Sequence, residues 1–382
     1  MNDRYCYSQN LAPDQTDRQS EEKKNPVFES PIQILERKNP EFAYVRTGIS
    51  LIDRNVRGLQ KGGLSIWSGL RGSAKSTLLT EILLNAIDDG NKALLYTGEV
   101  TAVNAMEWIY RQCAGPDFCN PTDVKNYYTT AYETKQSVAQ WLDGKLFIYN
   151  NGYGHDFMKI TEAIEAFAQE HRLDFIVFDN LMSLDLRHVI PEPWREQTEI
   201  QAQTQFIHAC KRMAEKYDCH IAVVCHPRKA EGFLRLDDVS GSGNLTNAAD
   251  ACFIMHRVNE DFRMLLRKTF GFKKDAVIFQ CDNVCEIAKD KQNGTQDCFI
   301  PLYFEASTKR LKNTRTENRV YPWNTAGIVP LKDNRSQGKT GTIAAASNYP
   351  GKTRDETMMP GFSGFNELAA GNNCMQEVAK RF

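Results

Sequence analysis

The stretch "SGLRGSAKST", residues 68–77, has the residue types and the spacing of a phosphate-binding loop. The usual pattern is G-x-x-x-x-G-K-[ST], in which backbone N–H groups surround phosphate oxygens at the start of a helix. Gly69, Lys75 and Ser76 occupy the expected positions, whereas Ala74 stands where the pattern has its second glycine. Alanine keeps the N–H donor but adds a methyl group, so we expect strain of ~1 kcal/mol if the backbone there is unfavourable.

The residues of this loop would together bind a nucleoside triphosphate and its metal ion. Lys75 would neutralise the terminal phosphates, Ser76 would ligate Mg²⁺, and Thr77 would contact the α-phosphate. The alternative is an ordinary strand-to-helix turn built of small residues. The predicted nucleotide-binding residues are Gly69, Leu70, Arg71, Gly72, Ser73, Ala74, Lys75, Ser76 and Thr77.

Three more polar residues follow apolar, strand-like runs. Glu99 follows "ALLYTG" and would orient or deprotonate a water that attacks the γ-phosphate. Asp179 ends "FIVFD", where its carboxylate would support the metal, and His226 ends "IAVVCH", where it would contact the γ-phosphate. A polar residue at a strand end is common by itself. Four such features in this order predict a site that hydrolyses ATP.

The elements that position these residues alternate between strand and helix. Continuous apolar runs predict buried strands at 64–69, 93–99, 146–151, 175–179, 221–226 and 251–257, and helical patterns lie at 76–88, 101–113, 156–171 and 196–217. This alternation predicts a doubly wound α/β domain, a mostly parallel twisted sheet with helices on both faces. Ligands of such domains bind at the carboxyl ends of the strands.

Composition predicts the limits of this domain, which we place at residues 43–323. Residues 1–27 are polar and predict a disordered arm, and residues 28–42 predict a linker with a short docking helix, in which Ile32, Ile34 and Leu35 are apolar. Residues 324–382 form a low-complexity tail that we expect to be mostly disordered.

Charge and cysteine content restrict the classes of partner and compartment. The 382-residue chain has a net charge of −1, so a nucleic-acid surface must be a local patch. Its eleven cysteines are scattered, which favours buried, reduced thiols over a zinc site or a disulfide framework. The N-terminus lacks the apolar core of a signal peptide, and no run approaches the ~20 apolar residues of a membrane span. We therefore expect a cytoplasmic protein without a membrane partner.

Several longer segments resemble the RecA-like motor domain of the DnaB-like replicative helicases, the family that includes phage primase–helicases and Twinkle. The opening "TGISLIDRNVRGLQKGGLSIWSG" resembles the entry to that family's P-loop, and "LYTGE" and "FIVFDN" resemble its second and Walker B motifs. "VVCHPRK…LDDVSGSGNLTNAADACFIMHR" resembles its histidine sensor and the following loop, and "EIAKDKQNG" resembles the segment that reaches the neighbouring subunit's ATP site. The resemblance covers residues 46 to about 311 and implies a RecA-like P-loop NTPase fold.

The resemblance also implies roles for individual residues. Lys75, Glu99 and His226 would be catalytic, with Ser76 and Asp179 at the metal. Arg257 and Phe304 fall where the family holds the adenine ring, and Lys289 and Lys291 take the positions that act on the neighbour's ATP. Lysine at 291 replaces an arginine finger, so turnover is expected to be slow. Ser240 and Asn247 also depart from the family pattern and bring its coupling of DNA to ATP into question.

Nucleic acid would be contacted by a loop that offers cations and backbone N–H groups to successive phosphates. The predicted DNA-binding residues are Arg228, Lys229, Arg235, Gly241, Ser242, Gly243 and Asn244, and the alternative is a solvated loop. A second loop, with Arg187 and Arg195, fits DNA contact and ordinary solvation equally well.

The first hypothesis for function is a ring-forming, ATP- and Mg²⁺-dependent helicase or translocase on single-stranded DNA. It would be a homo-hexamer that works with a separate primase or other replication proteins, since the sequence shows no primase domain. A RecA-like DNA-dependent ATPase that does not unwind, such as a recombination mediator, is the alternative enzyme. A nucleotide-dependent switch or scaffold is the non-enzyme alternative, but a scaffold needs neither Glu99 nor the Lys289 and Lys291 pair.

Overall fold

The computed structural model describes residues 28, 30–36, 43–185, 195–227, 233–239 and 243–330, with the backbone alone at 34–36, 195–200, 243 and 244. The arm 1–27, the tail from 331, Arg187, Arg228, Lys229, Ser240, Gly241 and Ser242 lie outside the described residues. The chain divides into two units, Met1–Phe42 and Ala43–Phe382. The first contains a short helix, α1 (Pro31–Glu36), on which Ile32 is exposed.

The second unit contains the remaining helices and all the strands of the described residues. The helices are α2 (Ser50–Val56), α3 (Lys75–Asp88), α4 (Ala102–Ala114), α5 (Tyr132–Leu142), α6 (Phe157–Glu170), α7 (Arg195–Tyr217), α8 (Gly243–Ala248) and α9 (Glu260–Phe270). The strands are β1 (Tyr44–Val45), β2 (Leu59–Gln60), β3 (Leu64–Gly69), β4 (Ala93–Thr97), β5 (Cys119–Pro121), β6 (Tyr128–Thr130), β7 (Leu146–Ile148), β8 (Phe175–Asp179), β9 (His220–Val224), β10 (Ala251–Arg257), β11 (Asn283–Asp290), β12 (Cys298–Glu305) and β13 (Arg310–Lys312).

A nine-stranded sheet organises this unit within the described residues, with the order β13-β12-β11-β10-β3-β9-β8-β4-β7. The six strands from β10 to β7 run parallel to one another. β11, β12 and β13 extend the sheet beyond β10, and each is antiparallel to the strand before it. Helices cover both faces of the sheet, so β3, β4, β8, β9 and β10 are almost entirely buried, whereas β7 at the edge is half-buried. The predicted doubly wound α/β fold is confirmed, and the antiparallel edge was not anticipated.

Alternate residues of each parallel strand serve two separate cores. Trp67 stacks on Phe253 at 4.1 Å on the face that also packs α3, α4 and α5. Its neighbour Ile66 points to the opposite face, where α6 and α7 supply the partners. The two-residue period of a strand produces this division, and β3 is held rigidly because both of its faces are buried.

Residues 258–282, called the insertion below, join β10 to β11. It forms α9, which begins after Asn259, whose side chain accepts a hydrogen bond from Phe262 N at 2.9 Å, and ends at the left-handed Gly271. Phe262 and Leu266 of α9 pack with Phe299 of β12 in a third, smaller core. The insertion is therefore a folded wall beside the end of β10.

Two expectations from composition can be compared with the described residues. The nine cysteines that they contain are buried and are not joined in disulfides, as expected for reduced structural thiols. Burial raises the pKa of the Cys225 thiol to about 12, so this thiol stays protonated. Among the helices described, none is long and apolar enough to cross a bilayer.

Candidate functional site

The P-loop candidate joins β3 to α3 at the carboxyl edge of the sheet. β3 ends at Gly69, and α3 begins at Lys75, as the pattern predicts. The Lys75 ammonium donates to the carbonyl oxygens of Gly69 and Leu70 at 2.7 and 3.1 Å and is only 6% exposed. Ser73 is buried and the side chains of Leu70 and Arg71 are exposed. The loop thus has the form of a compact anion cradle at a helix N-terminus.

Ala74 adopts a left-handed backbone conformation, with φ 69° and ψ 29°. L-residues with a side chain pay roughly 1–2 kcal/mol for this conformation, which glycine adopts freely. The conformation of the usual glycine is therefore retained although the glycine is absent. The strain expected from the sequence is present at this residue.

A buried amide from β11 supports the loop from behind. Asn283 is 5% exposed, and its Nδ2 donates to the carbonyl oxygens of Ser73 and His256 at 3.1 and 3.4 Å. These bonds tie the middle of the P-loop to the end of β10. The sequence did not reveal this residue, because no local pattern links positions 210 residues apart.

Ser76 and Asp179 form the candidate metal pair. Asp179 is the last residue of β8, beside β4 in the sheet, and accepts a hydrogen bond from the Ser76 side chain. Burial raises the pKa of Asp179, the nearby Glu99 raises it further, and Ser76, Lys75 and His226 partly oppose the rise. A hydroxyl beside a buried carboxylate is a donor set that suits Mg²⁺, and a bound cation would offset the cost of burying the carboxylate. The residues present fit the ion.

Glu99, Asn180 and His226 meet in a triangle of side-chain atoms. Asn180 Nδ2 lies 2.5 Å from Glu99 Oε1 and 2.9 Å from His226 Nε2, and His226 Nε2 lies 3.2 Å from Glu99 Oε1. Glu99 and His226 each lie two residues beyond the ends of their strands, β4 and β9. Both strands end earlier than predicted, and Gly98, directly after β4, donates its N–H to Asp179 O at 2.8 Å.

The charges of these groups are mutually dependent. Burial lowers the pKa of Lys75, although Asp179 and Glu99 partly oppose this change. Burial also disfavours ionised Glu99, but hydrogen bonds from Asn180 and His226 and the positive charge of Lys75 outweigh it, so the pKa of Glu99 lies below its usual value. At neutral pH the site therefore holds an ionised Glu99, which is the form that can accept a proton.

A cavity of about 740 Å³ opens beside the P-loop. Its lining includes Gly72 and Ala74 of the loop together with Arg257 and Phe304, the two residues predicted at the adenine ring. Phe304 is 40% exposed, so one side of its ring is available for stacking. The insertion supplies much of the remaining wall, including Arg263 and the segment 279–282. No sequence pattern predicted that the insertion lines this cavity.

Lys289 and Lys291 lie at the opposite edge of the sheet from the P-loop. Asn283, at the start of β11, pairs with Arg257 at the carboxyl end of β10, and Asp290 pairs with Ala251 at its other end. The eight residues of β11 therefore extend roughly 25 Å away from the P-loop. Neither lysine can reach the phosphates of its own chain.

The two lysines have different surroundings. The Lys289 ammonium donates to the carbonyl oxygens of Thr246 and Ala249 at 2.6 and 3.2 Å, at the end of α8. Lys291 lies one residue beyond β11, with 45% of its side chain exposed and its ammonium 4.0 Å from Asp250. Of the two lysines, only Lys289 lies on the strand itself. Lys291 has the more accessible charge.

Few of the predicted DNA-binding residues can be placed. Arg235 is exposed and precedes a short 3₁₀ turn, where its N–H donates to Asp238 Oδ2 at 2.8 Å. Gly243 and Asn244 begin α8, and Arg195 begins α7, with the backbone alone described. Arg228, Lys229, Gly241 and Ser242 lie outside the described residues. The proposed contact between these residues and DNA stays a prediction.

Comparisons with known proteins agree with this geometry. A family model described as "AAA domain" matches residues 35–232, more than half of the chain. The Twinkle homolog protein, chloroplastic/mitochondrial, of Arabidopsis thaliana is 22% identical over 224 residues, which are 57% of this chain and 31% of that protein. The chain thus spans about a third of the length of this curated relative.

Solved structures show the same fold. The ATPase domain of G40P matches with a TM-score of 0.56 and 14% identity over 74% of this chain and 95% of that one. A DnaB-like replicative helicase, described with its interactions with primase, matches with a TM-score of 0.55 and 14% identity over 74% of this chain and 66% of that one. The resemblance to DnaB-like replicative helicases is confirmed. The chain belongs to the AAA domain family, and it is a P-loop NTPase with the RecA-like fold of the DnaB-like replicative helicases.

Proposed function

We propose that this protein is a ring-forming, ATP- and Mg²⁺-dependent motor that moves along single-stranded DNA and acts as a helicase. The observation that carries the proposal is the meeting of Lys75, Asp179, Glu99 and His226 at one edge of the sheet, although they lie on four separate segments. A strand-to-helix turn without function has no need of an ionised glutamate and a histidine beside its lysine.

Each residue has a task in hydrolysis. The P-loop N–H groups and Lys75 bind the phosphates, and Ser76 and Asp179 hold Mg²⁺, which supplies positive charge to the β- and γ-phosphates when it is bound. Glu99 orients the attacking water and accepts its proton, since the low pKa of Glu99 keeps it ionised. His226 contacts the γ-phosphate, while Arg257 and Phe304 hold the base. This arrangement supports transfer of the γ-phosphoryl group to water.

Assembly into a ring would complete the site. β11 extends roughly 25 Å from the P-loop edge of the sheet, so Lys291 lies at the far edge of its own chain, where a neighbouring subunit's P-loop would meet it. Lys291 then supplies the charge that an arginine finger supplies elsewhere, and Lys289 supports it. Residues 28–42 would dock on the neighbour, with a homo-hexamer as the expected assembly.

Single-stranded DNA would pass through the centre of this ring. Arg228, Lys229 and Arg235 would contact successive phosphates, and the glycines and polar residues at 241–244 would offer backbone N–H groups. Such contacts do not read sequence, as a motor that moves along DNA requires. A primase or other replication proteins would be separate partners of the ring.

The proposal is tested by ATP turnover of the full chain with and without single-stranded DNA, followed by an unwinding assay on a forked duplex. We expect DNA to stimulate turnover and the fork to open. Lys75→Ala should abolish both activities, because it removes the ammonium that binds the phosphates. DNA-stimulated turnover without unwinding would instead support a RecA-like ATPase that does not unwind. Equal turnover in wild type and Lys75→Ala would refute the assigned site.

A further inference from the structure

The insertion anchors the described segment 233–239 of the loop that follows β9. Phe233 packs against the third core, which the insertion and β12 build. Its ring stacks on the imidazole of His256 with the centroids 4.5 Å apart and lies 5.9 Å from the ring of Phe262 on α9. Arg235, the predicted DNA contact, follows two residues later and is exposed. The insertion therefore helps to set the position of a candidate DNA contact.

The two rings that hold Phe233 are themselves fixed in place. His256 Nε2 lies 2.6 Å from Glu286 Oε2 on β11, and both side chains are buried. Phe262 is also buried, and its ring lies 5.2 Å from that of His256. Leu234, the next residue of the loop, is buried as well. Because close-packed interiors transmit small displacements, the position of Phe233 depends on the positions of both rings.

The elements that hold Phe233 also form a wall of the base cavity. Arg257 directly follows His256 on β10, and successive side chains of a strand point to opposite faces of the sheet. Arg263 directly follows Phe262 on α9, and its Nη2 donates to the carbonyl oxygen of Phe279 at 3.1 Å. Arg257, Arg263 and Phe279 all line the cavity. The end of β10 and the start of α9 thus each present one residue to the loop and the next to the cavity.

We propose that Phe233 is a positioning residue that links the loop after β9 to the base cavity, so that a nucleobase in the cavity favours the position in which Arg235 contacts DNA. A base that packs against Arg257 and Arg263 holds the end of β10 and α9 in place, and these two elements hold Phe233. The proposal rests on the proposed function for the binding of the base here and for the contact of Arg235 with DNA. The link depends on the base and not on the γ-phosphate that His226 contacts, so it also operates with a nucleoside diphosphate. Because linkage is reciprocal, DNA tightens the binding of the nucleotide by the same factor.

Hydrogen exchange of the loop tests the link without DNA and without hydrolysis. The full chain is saturated with Mg²⁺ and either ADP or ribose 5-diphosphate, two ligands that differ only in the base. The reporters are the N–H groups of Asp238 and Val239, which donate to the carbonyl oxygens of Arg235 and Leu236 at 3.0 and 3.3 Å. Coupling between two sites typically amounts to about 5- to 150-fold, so we expect exchange of both amides to be at least about fivefold slower with ADP. Equal exchange with the two ligands would overturn the proposal.

Three variants isolate the contribution of the Phe233 ring. Phe233→Ala removes the ring, so exchange should be the same with ADP as with ribose 5-diphosphate. Phe233→Leu keeps most of the apolar volume without the flat ring, so it should also weaken the dependence on the base while the third core stays packed. Phe270→Ala is the matched control, because Phe270 packs in the same core against Phe299, at the other end of α9, with the ring centroids 5.1 Å apart. This control should exchange as wild type does, and an equal loss of base dependence in Phe270→Ala and Phe233→Ala would overturn the assignment to Phe233.

Titration with a fluorescent single-stranded oligonucleotide tests the consequence for DNA. Wild type should bind the oligonucleotide at least about fivefold more tightly with ADP than with ribose 5-diphosphate, whereas Phe233→Ala should bind it equally with both. Equal affinity of wild type with the two ligands would overturn the proposal. If wild type binds no single-stranded DNA with either ligand, the proposed function fails, whereas hydrogen exchange still decides whether the base and the loop are linked.

Discussion

Ala74→Gly is expected to stabilise the protein, although the same substitution usually destabilises. Ala74 has φ 69° and ψ 29°, a conformation that costs a residue with a side chain roughly 1–2 kcal/mol. Glycine relieves this cost but adds ~0.4–1 kcal/mol of conformational freedom to the unfolded chain. The free energy of unfolding should therefore rise by about 0.5–1 kcal/mol. For a domain of this size, that corresponds to an increase in Tm of about 1–4 °C.

Two control substitutions show whether the change in the free energy of unfolding of Ala74→Gly reflects the backbone conformation of residue 74. Gly72→Ala places a side chain at φ +73° in space with no atom within 4 Å, so backbone strain alone should lower the free energy of unfolding by about 1 kcal/mol. Ala163→Gly lies on the exposed face of α6, where the helix is right-handed, and should cost about 0.5–1 kcal/mol.

Urea denaturation and thermal melts of the three variants measure these effects, with ATP turnover recorded on the same preparations. Turnover of Ala74→Gly should be equal to wild type or higher, since glycine keeps the N–H donor. If Ala74→Gly lost stability as Ala163→Gly does, Ala74 would not be strained.

Three further predictions concern chemistry and pH. Glu99→Gln should bind ATP normally in an equilibrium titration while hydrolysis falls by ~10²-fold or more, and joint loss of both would make Glu99 structural. Lys291→Arg should raise kcat severalfold, because a planar guanidinium can bind two γ-phosphate oxygens, and an unchanged kcat would exclude that contact. Burial raises the pKa of Glu81 to about 7, above its ordinary 4.5, so the folded state holds an extra proton between these values and stability should fall as pH rises through them. Urea melts of Glu81→Gln should show a flatter decline across this range, and an identical decline would refute the assignment.

The parallel part of the sheet could be predicted from the sequence because each strand is marked by a pattern within one short segment. Continuous apolar runs such as 64–69 and 175–179 match β3 and β8, since strands buried on both faces need apolar residues at every position. The start of α3 at Lys75 follows from the spacing of the P-loop residues in the same way. The carboxyl ends of parallel strands lie at the same edge of a sheet, where ligands bind. Chain order was therefore enough to predict that Glu99 and His226 lie close together.

The parts that were missed depend on contacts between distant segments. Asn283 supports the P-loop from β11, and Asn180 reaches Glu99 across the ends of two strands, yet each asparagine looks like an ordinary polar residue in its own segment. The commitment of Lys289 to the end of α8 likewise depends on the pairing of β11 with β10. No pattern within the sequence of α9 indicates that this helix lines the nucleotide cavity.

Mixing two inactive variants tests most directly whether neighbouring subunits share the ATP site. Lys75→Ala removes the phosphate-binding ammonium, and Lys291→Ala removes the charge at the far edge of the sheet, so each variant alone should be inactive. In a ring of randomly mixed subunits at equal amounts, about a quarter of the interfaces would combine an intact Lys75 with an intact Lys291 from the neighbour. We predict that ATP turnover recovers to about that fraction of wild type, whereas no recovery at any ratio, with subunit exchange confirmed, would contradict a shared site.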